Sequence, residues 1–290
     1  MFETMKACPI PKKYIDVGRA KIAYIEDGNG SPIIFIHGYP TSSFLWRKVI
    51  KLLSSEYRCY APDLLGLGDT EVSLEEDFSM PSQAEMIKGF MDDLKIDHAT
   101  IVAHDQGGAC GEIFAIRYPD RVKNLILVDC VAYDNWPVSR VKLRMRFAKL
   151  PIIAWMFESY WFMRCFYLTR FGLKGSVYDK SKITTEVITE YLRPIYTTRE
   201  RKRKFRKFLL SGNCQYTMDI ASELQRFDKP TLIIWAAEDR FLPVFWGEKL
   251  YKEIPGARRF ELITFAGHLL PEEKPVEIAR IIVDFLSDGK

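Results

Sequence analysis

The sequence predicts an α/β fold in which a mostly parallel central sheet carries helices on both faces. Three observations support this prediction. Strand patterns alternate with helix patterns through the first 130 residues, the alternation resumes after residue 228, and several strand patterns are short runs of apolar residues. Alternation of this kind builds parallel sheets, and fully apolar runs mark strands that are buried on both sides.

The strand patterns begin with a hairpin and continue as buried runs. Residues 14–17 and 21–25 flank Gly18, which suits a turn, and residues 32–36 form a fully apolar strand. We expect further strands at residues 57–61, 99–103, 125–128, 231–235 and 258–263, and helices at residues 44–53, 81–94, 108–117, 245–254 and 276–286.

A long insertion interrupts this order between residues 131 and 227. Its patterns are helical and rich in aromatic and basic side chains, without a clear strand. We therefore expect a core domain of residues 1–130 and 228–290 and a helical cap domain of residues 131–227. Because ligands of open α/β sheets bind at the carboxyl ends of the strands, the cap would cover the active site.

The composition limits the range of partners. The chain has 290 residues, of which 48% are hydrophobic and 28% are charged, and its formal net charge is +4. These values are typical of a soluble globular protein and demand no nucleic-acid partner. The densest basic run, residues 199–207, is interpreted as the solvated face of a helix, with contact to an anionic surface as the alternative.

The cysteines and the apolar segments bear on location. The six cysteines form no C-x-x-C pair and show no metal-ligand spacing, so we interpret them as reduced thiols of a cytoplasmic protein. The first residues lack the apolar core of a signal peptide. The most apolar stretch, residues 151–168, contains Glu158 and Arg164, so we expect no membrane span. The oligomeric state stays open.

The most informative segment is residues 101–108, IVAHDQGG, which predicts a strand, a tight turn and a helix with Asp105 at the apex. Small residues around an apical nucleophile form the nucleophile elbow of α/β-hydrolases, where serine is the usual occupant. A carboxylate there needs no activating base and can attack a saturated carbon to form an ester. The alternative is that Asp105 caps the following helix. Further motifs in the expected order favour the nucleophile.

Two of these motifs supply a general base and its acidic partner. Asp239 follows strand 231–235, and His268 follows the last strand, so the chain order is nucleophile, acid, histidine. We expect His268 to activate water and Asp239 to orient the imidazole and stabilise its protonated form. Asp129 and Asp134, after the preceding core strand, are the rival acids.

The third motif is residues 37–40, HGYP, after the first buried strand. In this fold the corresponding loop donates a backbone N–H to the oxyanion hole. We assign that donor to Tyr39 and the second donor to Gln106. His37 is placed near the substrate as the residue that organises this loop.

Four segments resemble a known family: residues 37–47 (HGYPTSSFLWR), 62–70 (PDLLGLGDT), 103–108 (AHDQGG) and 133–137 (YDNWP). Over nearly its whole length the chain is similar to the α/β-hydrolases with an aspartate nucleophile, the haloalkane dehalogenases and epoxide hydrolases. The resemblance implies a cap domain, an apolar small-molecule substrate that reacts with water in a buried pocket, and no cofactor.

The departures from the family pattern bear on the substrate. Dehalogenases place a tryptophan after the nucleophile to hold the halide, but this chain has Gln106, and Tyr39 stands where a second donor is often asparagine. Trp136 offers an alternative indole. Epoxide hydrolases protonate the ring oxygen with cap tyrosines, for which Tyr160 and Tyr167 are the candidates.

We therefore expect an epoxide hydrolase-like enzyme, with a haloalkane dehalogenase-like enzyme as the alternative. Two other classes remain. One is an esterase or lactonase that uses Asp105 as a general base. The other is a non-catalytic ligand receptor, since a fold does not fix a function.

Overall fold

The computed structural model describes residues 11–148, 156 and 158–288. An eight-stranded sheet forms its centre in the order β1-β2-β4-β3-β5-β6-β7-β8. Strands β1, β2 and β4 pair antiparallel, and every other neighbouring pair is parallel. The strands are β1 (Lys13–Val17), β2 (Ala20–Asp27), β3 (Ser31–Ile36), β4 (Tyr57–Pro62), β5 (Ala99–Asp105), β6 (Val122–Cys130), β7 (Thr231–Ala236) and β8 (Ala257–Ile263).

The apolar runs of the sequence become the middle of this sheet. In the parallel register, Val102 of β5 pairs with Ile126 of β6, and Leu127 of β6 pairs with Ile233 of β7. All four side chains are fully buried because helices cover both faces of the sheet. The expected α/β class is confirmed, and the expected strands all occur with ends within three residues.

Twelve α-helices occur in the described part of the chain. They are α1 (Arg47–Leu53), α2 (Met80–Asp93), α3 (Gln106–Arg117), α4 (Ser139–Ala148), α5 (Tyr160–Tyr167), α6 (Thr185–Tyr196), α7 (Arg199–Ser211), α8 (Gln215–Asp219), α9 (Ala221–Leu224), α10 (Phe245–Glu253), α11 (Leu270–Glu273) and α12 (Pro275–Ser287). Helix α1 packs against α12, and α2 packs against α3.

The insertion between β6 and β7, residues 131–227, contains α4 to α9 and, within its described residues, no strand. We call it the helical segment. The basic run lies on α7, whose Phe205 and Phe208 are buried. This helix is not simply a solvated face, because Arg201 donates to the Gly68 carbonyl and Lys207 donates to that of Leu74. The cations of the run thus dock the helical segment onto the core.

A buried ion pair joins three distant parts of the chain. The Arg47 guanidinium donates two hydrogen bonds to the Glu272 carboxylate, at 2.6 and 2.9 Å. The Tyr191 hydroxyl of α6 donates a hydrogen bond to the Glu272 carboxylate at 2.7 Å, and the Lys48 ammonium donates another. The helical segment is therefore tied to the core through a carboxylate that has almost no contact with water.

The remaining features of the chain are brief. None of the described helices is long and apolar enough to cross a membrane. Five cysteines are free thiols, of which Cys59, Cys110 and Cys130 are buried, whereas Cys8 lies outside the described residues. The expectation for the apolar stretch 151–168 falls partly outside the described residues as well.

The first prediction concerns the buried pair. Substitution Arg47→Met should lower the free energy of unfolding in urea by roughly 3 kcal/mol, because it leaves the Glu272 charge buried without its main partner. The matched control is Arg117→Met, which breaks the exposed pair with Glu85 and should cost less than about 1 kcal/mol. A loss in Arg47→Met no larger than in the control would contradict the structural role of this pair.

Candidate active site

Asp105 lies at the sharp turn between β5 and α3. Its backbone has φ 54° and ψ −126°, a conformation that non-glycine residues rarely adopt. The chain tolerates it because small residues surround the turn: a Cβ at Gly38 would overlap the Asp105 carboxylate, and a Cβ at Gly107 would overlap the His37 carbonyl. The strained turn holds the Asp105 side chain at the carboxyl end of the sheet.

The Asp105 carboxylate faces two groups with different roles. Its Oδ2 accepts a hydrogen bond from the Tyr39 backbone N–H at 2.9 Å. Its Oδ1 lies 3.6 Å from Nε2 of His268. The side chain makes no capping hydrogen bond to α3, so the capping alternative has no support in this geometry. The N-terminus of α3 favours the negative charge.

His268 and Asp239 form a buried pair beside it. Nδ1 of His268 lies 2.8 Å from Oδ2 of Asp239. The other oxygen of Asp239 accepts hydrogen bonds from the Phe241 N–H at 2.7 Å and the Leu242 N–H at 3.0 Å. The loop after β7 therefore holds the carboxylate in place, and the carboxylate orients the imidazole with Nε2 toward Asp105.

The charges around His268 set its protonation. Burial alone would lower the pKa of the imidazole, but the Asp239 carboxylate and the nearby Asp105 carboxylate outweigh burial and raise this pKa well above 6.5. Two carboxylates thus stabilise the protonated imidazole. One of them, Asp105, would lose its charge if it became an ester.

Of the rival acids, Asp129 is the closer one. Its Oδ1 accepts a hydrogen bond from the Ala236 N–H at 2.8 Å, while Oδ2 has no partner among the described residues. Burial, followed by the Asp239 charge, raises the pKa of Asp129 well above 3.8. Asp129 links β6 to β7 and is held closer to its neutral form than an exposed aspartate, whereas Asp134 is exposed. The direct partner of His268 is Asp239.

Two further histidines support the loops around the site. Nε2 of His104 lies 2.7 Å from the His268 carbonyl, and burial lowers the pKa of His104 to about 4. Nε2 of His37 accepts from the Leu64 N–H at 3.1 Å, so its Nδ1 carries the proton toward the Gly38 carbonyl. Burial also lowers the pKa of His37 to about 4. Both rings are neutral.

The backbone N–H groups expected to form an oxyanion hole come from Tyr39 and Gln106. The Tyr39 N–H contacts Asp105, and the Tyr39 ring stacks on Phe205 with 4.8 Å between centroids. Gln106 is the first residue of α3, where backbone N–H groups lack helical acceptors. Its side-chain amide is fully buried, and neither polar atom has a partner among the described residues.

A narrow cavity of about 40 Å³ opens onto Asp105 and His268. Its walls include Tyr39, Trp136 and Tyr167, together with apolar side chains of the helical segment, Val141, Leu173 and Leu209. The buried Nε1 of Trp136 has no partner among the described residues.

Two of the expected substrate residues, His37 and Tyr160, are not among the residues that line this cavity. His37 accepts a hydrogen bond from the Leu64 N–H in a neighbouring loop. Tyr160 packs against Tyr196, with 5.8 Å between the ring centroids. The geometry therefore favours Trp136 and Tyr167 as the residues of the expected set that could contact a substrate.

Glu273 was not predicted from the sequence as part of the site. Its carboxylate accepts hydrogen bonds from the Gly267 N–H at 2.7 Å and from the N–H groups of Tyr178 and Asp179 at 3.1 and 2.7 Å. It thus joins the loop that carries His268 to the helical segment. Nothing near Glu273 in the sequence indicates this role, because two of its partners lie about 95 residues away.

Among the described residues, no group of three or more His, Cys, Asp and Glu side chains is arranged to hold a metal ion.

Comparison with known proteins shows which family and which enzymes the chain resembles. Residues 31–154 match the α/β-hydrolase fold family. Haloalkane dehalogenase 2 of Mycobacterium tuberculosis is 28% identical over 284 residues, which cover 95% of each chain. The cis-3-alkyl-4-alkyloxetan-2-one decarboxylase of Shewanella oneidensis is 25% identical and covers 97% of this chain, which in turn spans 89% of it.

The solved structure of the epoxide hydrolase CorEH superposes with a TM-score of 0.80 at 21% identity, covering 97% of this chain and 99% of that chain. At this identity the likeness concerns the fold. The chain therefore has the α/β-hydrolase fold, is similar in sequence to a haloalkane dehalogenase and shares its fold with an epoxide hydrolase.

Proposed function

We propose that the protein is a hydrolase in which Asp105 attacks an electrophilic carbon of an apolar small molecule and forms a covalent ester. The observation that carries this proposal is the position of the Asp105 carboxylate, with Oδ2 on the Tyr39 N–H and Oδ1 facing His268 in the cavity. Residues 131–227 serve as the cap, and residues 1–130 and 228–290 form the core.

In the first step, Oδ1 of Asp105 bonds to a carbon of the substrate and the carbon–oxygen bond of an epoxide ring breaks. The ring oxygen takes the electron pair and must gain a proton. Tyr167 supplies it, because its ring lines the cavity, and the Trp136 indole N–H donates a second hydrogen bond. The ester carbonyl oxygen remains on the Tyr39 N–H.

In the second step, water attacks Cγ of the Asp105 ester. Ester formation removes the Asp105 charge, so one of the groups that raise the pKa of His268 is lost. The imidazole then gives its proton to the Tyr167 phenolate that the first step left, and the neutral ring accepts a proton from water. The N–H groups of Tyr39 and Gln106 stabilise the oxyanion. When the intermediate collapses, the diol leaves with the proton from His268. The other proton of the water then passes from the new Asp105 carboxyl group to His268, which restores the resting carboxylate and the protonated imidazole.

An epoxide is the first candidate substrate because Gln106 replaces the halide-holding tryptophan and Tyr167 lines the cavity. A haloalkane is the second candidate. The indole N–H of Trp136 has no partner among the described residues, and it could donate a hydrogen bond to the departing halide. The Shewanella relative is named for a strained four-membered lactone, which keeps a lactone within the range of substrates to be tested.

The proposed location is the cytoplasm. The five described cysteines are free thiols, which supports a reducing compartment.

The second prediction separates the two chemical steps. In His268→Gln, the attack by Asp105 should survive and hydrolysis should stall, so an adduct accumulates on the peptide that carries Asp105. Peptide mass spectrometry after incubation with an epoxide should show the full mass of the epoxide added. A haloalkane should add the mass of the substrate less the hydrogen halide.

Two controls define the outcome. His98→Gln changes an exposed histidine and should turn over normally without an adduct. The double variant Asp105→Ala, His268→Gln should form none. If His268→Gln forms no adduct with a substrate that the wild type converts, Asp105 is a general base and the enzyme is an esterase or lactonase. Binding without any turnover by the wild type would instead indicate a receptor.

The third prediction separates the two substrate classes. Tyr167→Phe removes one hydroxyl and should lower the rate of epoxide opening by roughly 10²-fold or more, the usual contribution of a general acid. Haloalkane conversion should change little, because a halide leaves without a proton. Trp136→Phe should slow both reactions, and haloalkane conversion more strongly, because the indole N–H is the proposed donor to the halide. Single-turnover rates with both substrates check this, and an unchanged epoxide rate in Tyr167→Phe would exclude that residue as the acid.

A further inference from the structure

Helix α5, Tyr160–Tyr167, is apolar on both of its faces. Met163 and Tyr167 are buried, and Tyr167 lines the cavity beside Asp105. On the outward face, Trp161 and Phe162 are exposed, and 68% of the Trp161 surface is open to solvent. A helix on the surface of a soluble domain ordinarily turns polar side chains outward. The outer face of α5 is therefore unusually aromatic for a surface helix.

Arginines accompany these exposed rings. The Arg164 guanidinium lies 5.7 Å from the Trp161 ring centroid. After the helix, the Arg170 guanidinium lies 4.9 Å from the ring of Phe171, which is 56% exposed. Aromatic rings beside arginines suit the boundary between lipid headgroups and acyl chains, where a ring can enter the apolar layer while the cation stays with phosphate.

The charge of the chain is divided between its two parts. The helical segment has 19 Lys and Arg against 8 Asp and Glu, a net charge of +11, whereas the rest of the chain has 23 against 30, a net charge of −7. Exposed cations near α5 in the sequence include Lys142, Arg146 and Lys180. An anionic surface would attract the helical segment and repel the core, which orients the molecule with α5 toward that surface.

We propose that the outer face of α5 with Phe171 is a docking surface for an anionic phospholipid bilayer. A second copy of the chain is the weaker occupant, because it would bring two segments of net charge +11 together. Docking places Tyr167, on the opposite face of the same helix, between the bilayer and Asp105. Transfer of an apolar substrate from the bilayer to the cavity rests on the proposed function, but docking itself does not.

The test is co-sedimentation with vesicles at about 0.1 M salt. The probes are vesicles of phosphatidylcholine alone and vesicles that contain about one third phosphatidylglycerol. The wild type should bind the anionic vesicles at least tenfold more tightly than the neutral ones, and raising the salt to about 0.5 M should remove most of this preference because it screens the charges.

Two variants assign the binding to the proposed surface. Trp161→Ser with Phe162→Ser should weaken binding to anionic vesicles at least tenfold, and so should Arg164→Gln with Arg170→Gln. The matched control is Phe245→Ser, which removes a ring that is 60% exposed on the core. Its vesicle binding and its thermal midpoint should equal those of the wild type, and the double variants should keep that midpoint within a few degrees.

Three outcomes would overturn the proposal. The first is that the wild type does not bind anionic vesicles. The second is that the α5 variants bind these vesicles as tightly as the wild type. The third is that Phe245→Ser binds them as weakly as the α5 variants. Light scattering tests the alternative occupant by measuring the molar mass in solution. If the protein does not bind vesicles but forms a dimer that Trp161→Ser abolishes, the face binds a second copy of the chain. The vesicle measurements need no substrate, so they stand or fall separately from the chemistry of Asp105.

Discussion

The strained turn at Asp105 is the constraint on which the site depends. Strand β5 must end, α3 must begin, and the side chain between them must point out of the sheet, which forces φ to 54°. Small residues at Gly38, Gly107 and Gly108 make room for this turn, since a Cβ at any of them would meet backbone or side-chain atoms. The buried parallel strands on either side keep the turn from relaxing.

Three loops converge on this turn, and each is held by buried polar contacts. The loop after β3 is fixed by His37, the loop after β7 by the N–H groups that bind Asp239, and the loop after β8 by Glu273. From the helical segment, the Tyr191 hydroxyl donates a hydrogen bond to Glu272. Lysines and arginines pair with some of the buried carboxylates, whereas burial raises the pKa of Asp129. Buried hydrogen bonds thus hold the core side of the site, and the facing wall of the cavity comes from the helical segment.

The sheet could be predicted from the sequence, and so could the meeting of Asp105, Asp239 and His268 at one of its edges, because both follow from local signals. Apolar runs define buried strands, and the motifs sit at strand ends that a parallel sheet brings to one edge. The partners of Glu272 and Glu273 were out of reach, since contacts such as Arg47 to Glu272 span 225 residues. The walls of the cavity were equally out of reach, because which tyrosine of the helical segment faces Asp105 depends on how its helices pack. Tyr167 does so and Tyr160 does not.

The most direct test of covalent catalysis by Asp105 is isotope transfer in a single turnover. Excess enzyme is mixed with an epoxide in ¹⁸O-labelled water, and the diol and the peptide that carries Asp105 are analysed by mass spectrometry. A covalent ester predicts an unlabelled diol and one ¹⁸O in the Asp105 carboxylate, because the enzyme supplies the oxygen and water replaces it. An ¹⁸O-labelled diol with an unlabelled Asp105 would contradict the ester and assign Asp105 the role of a base.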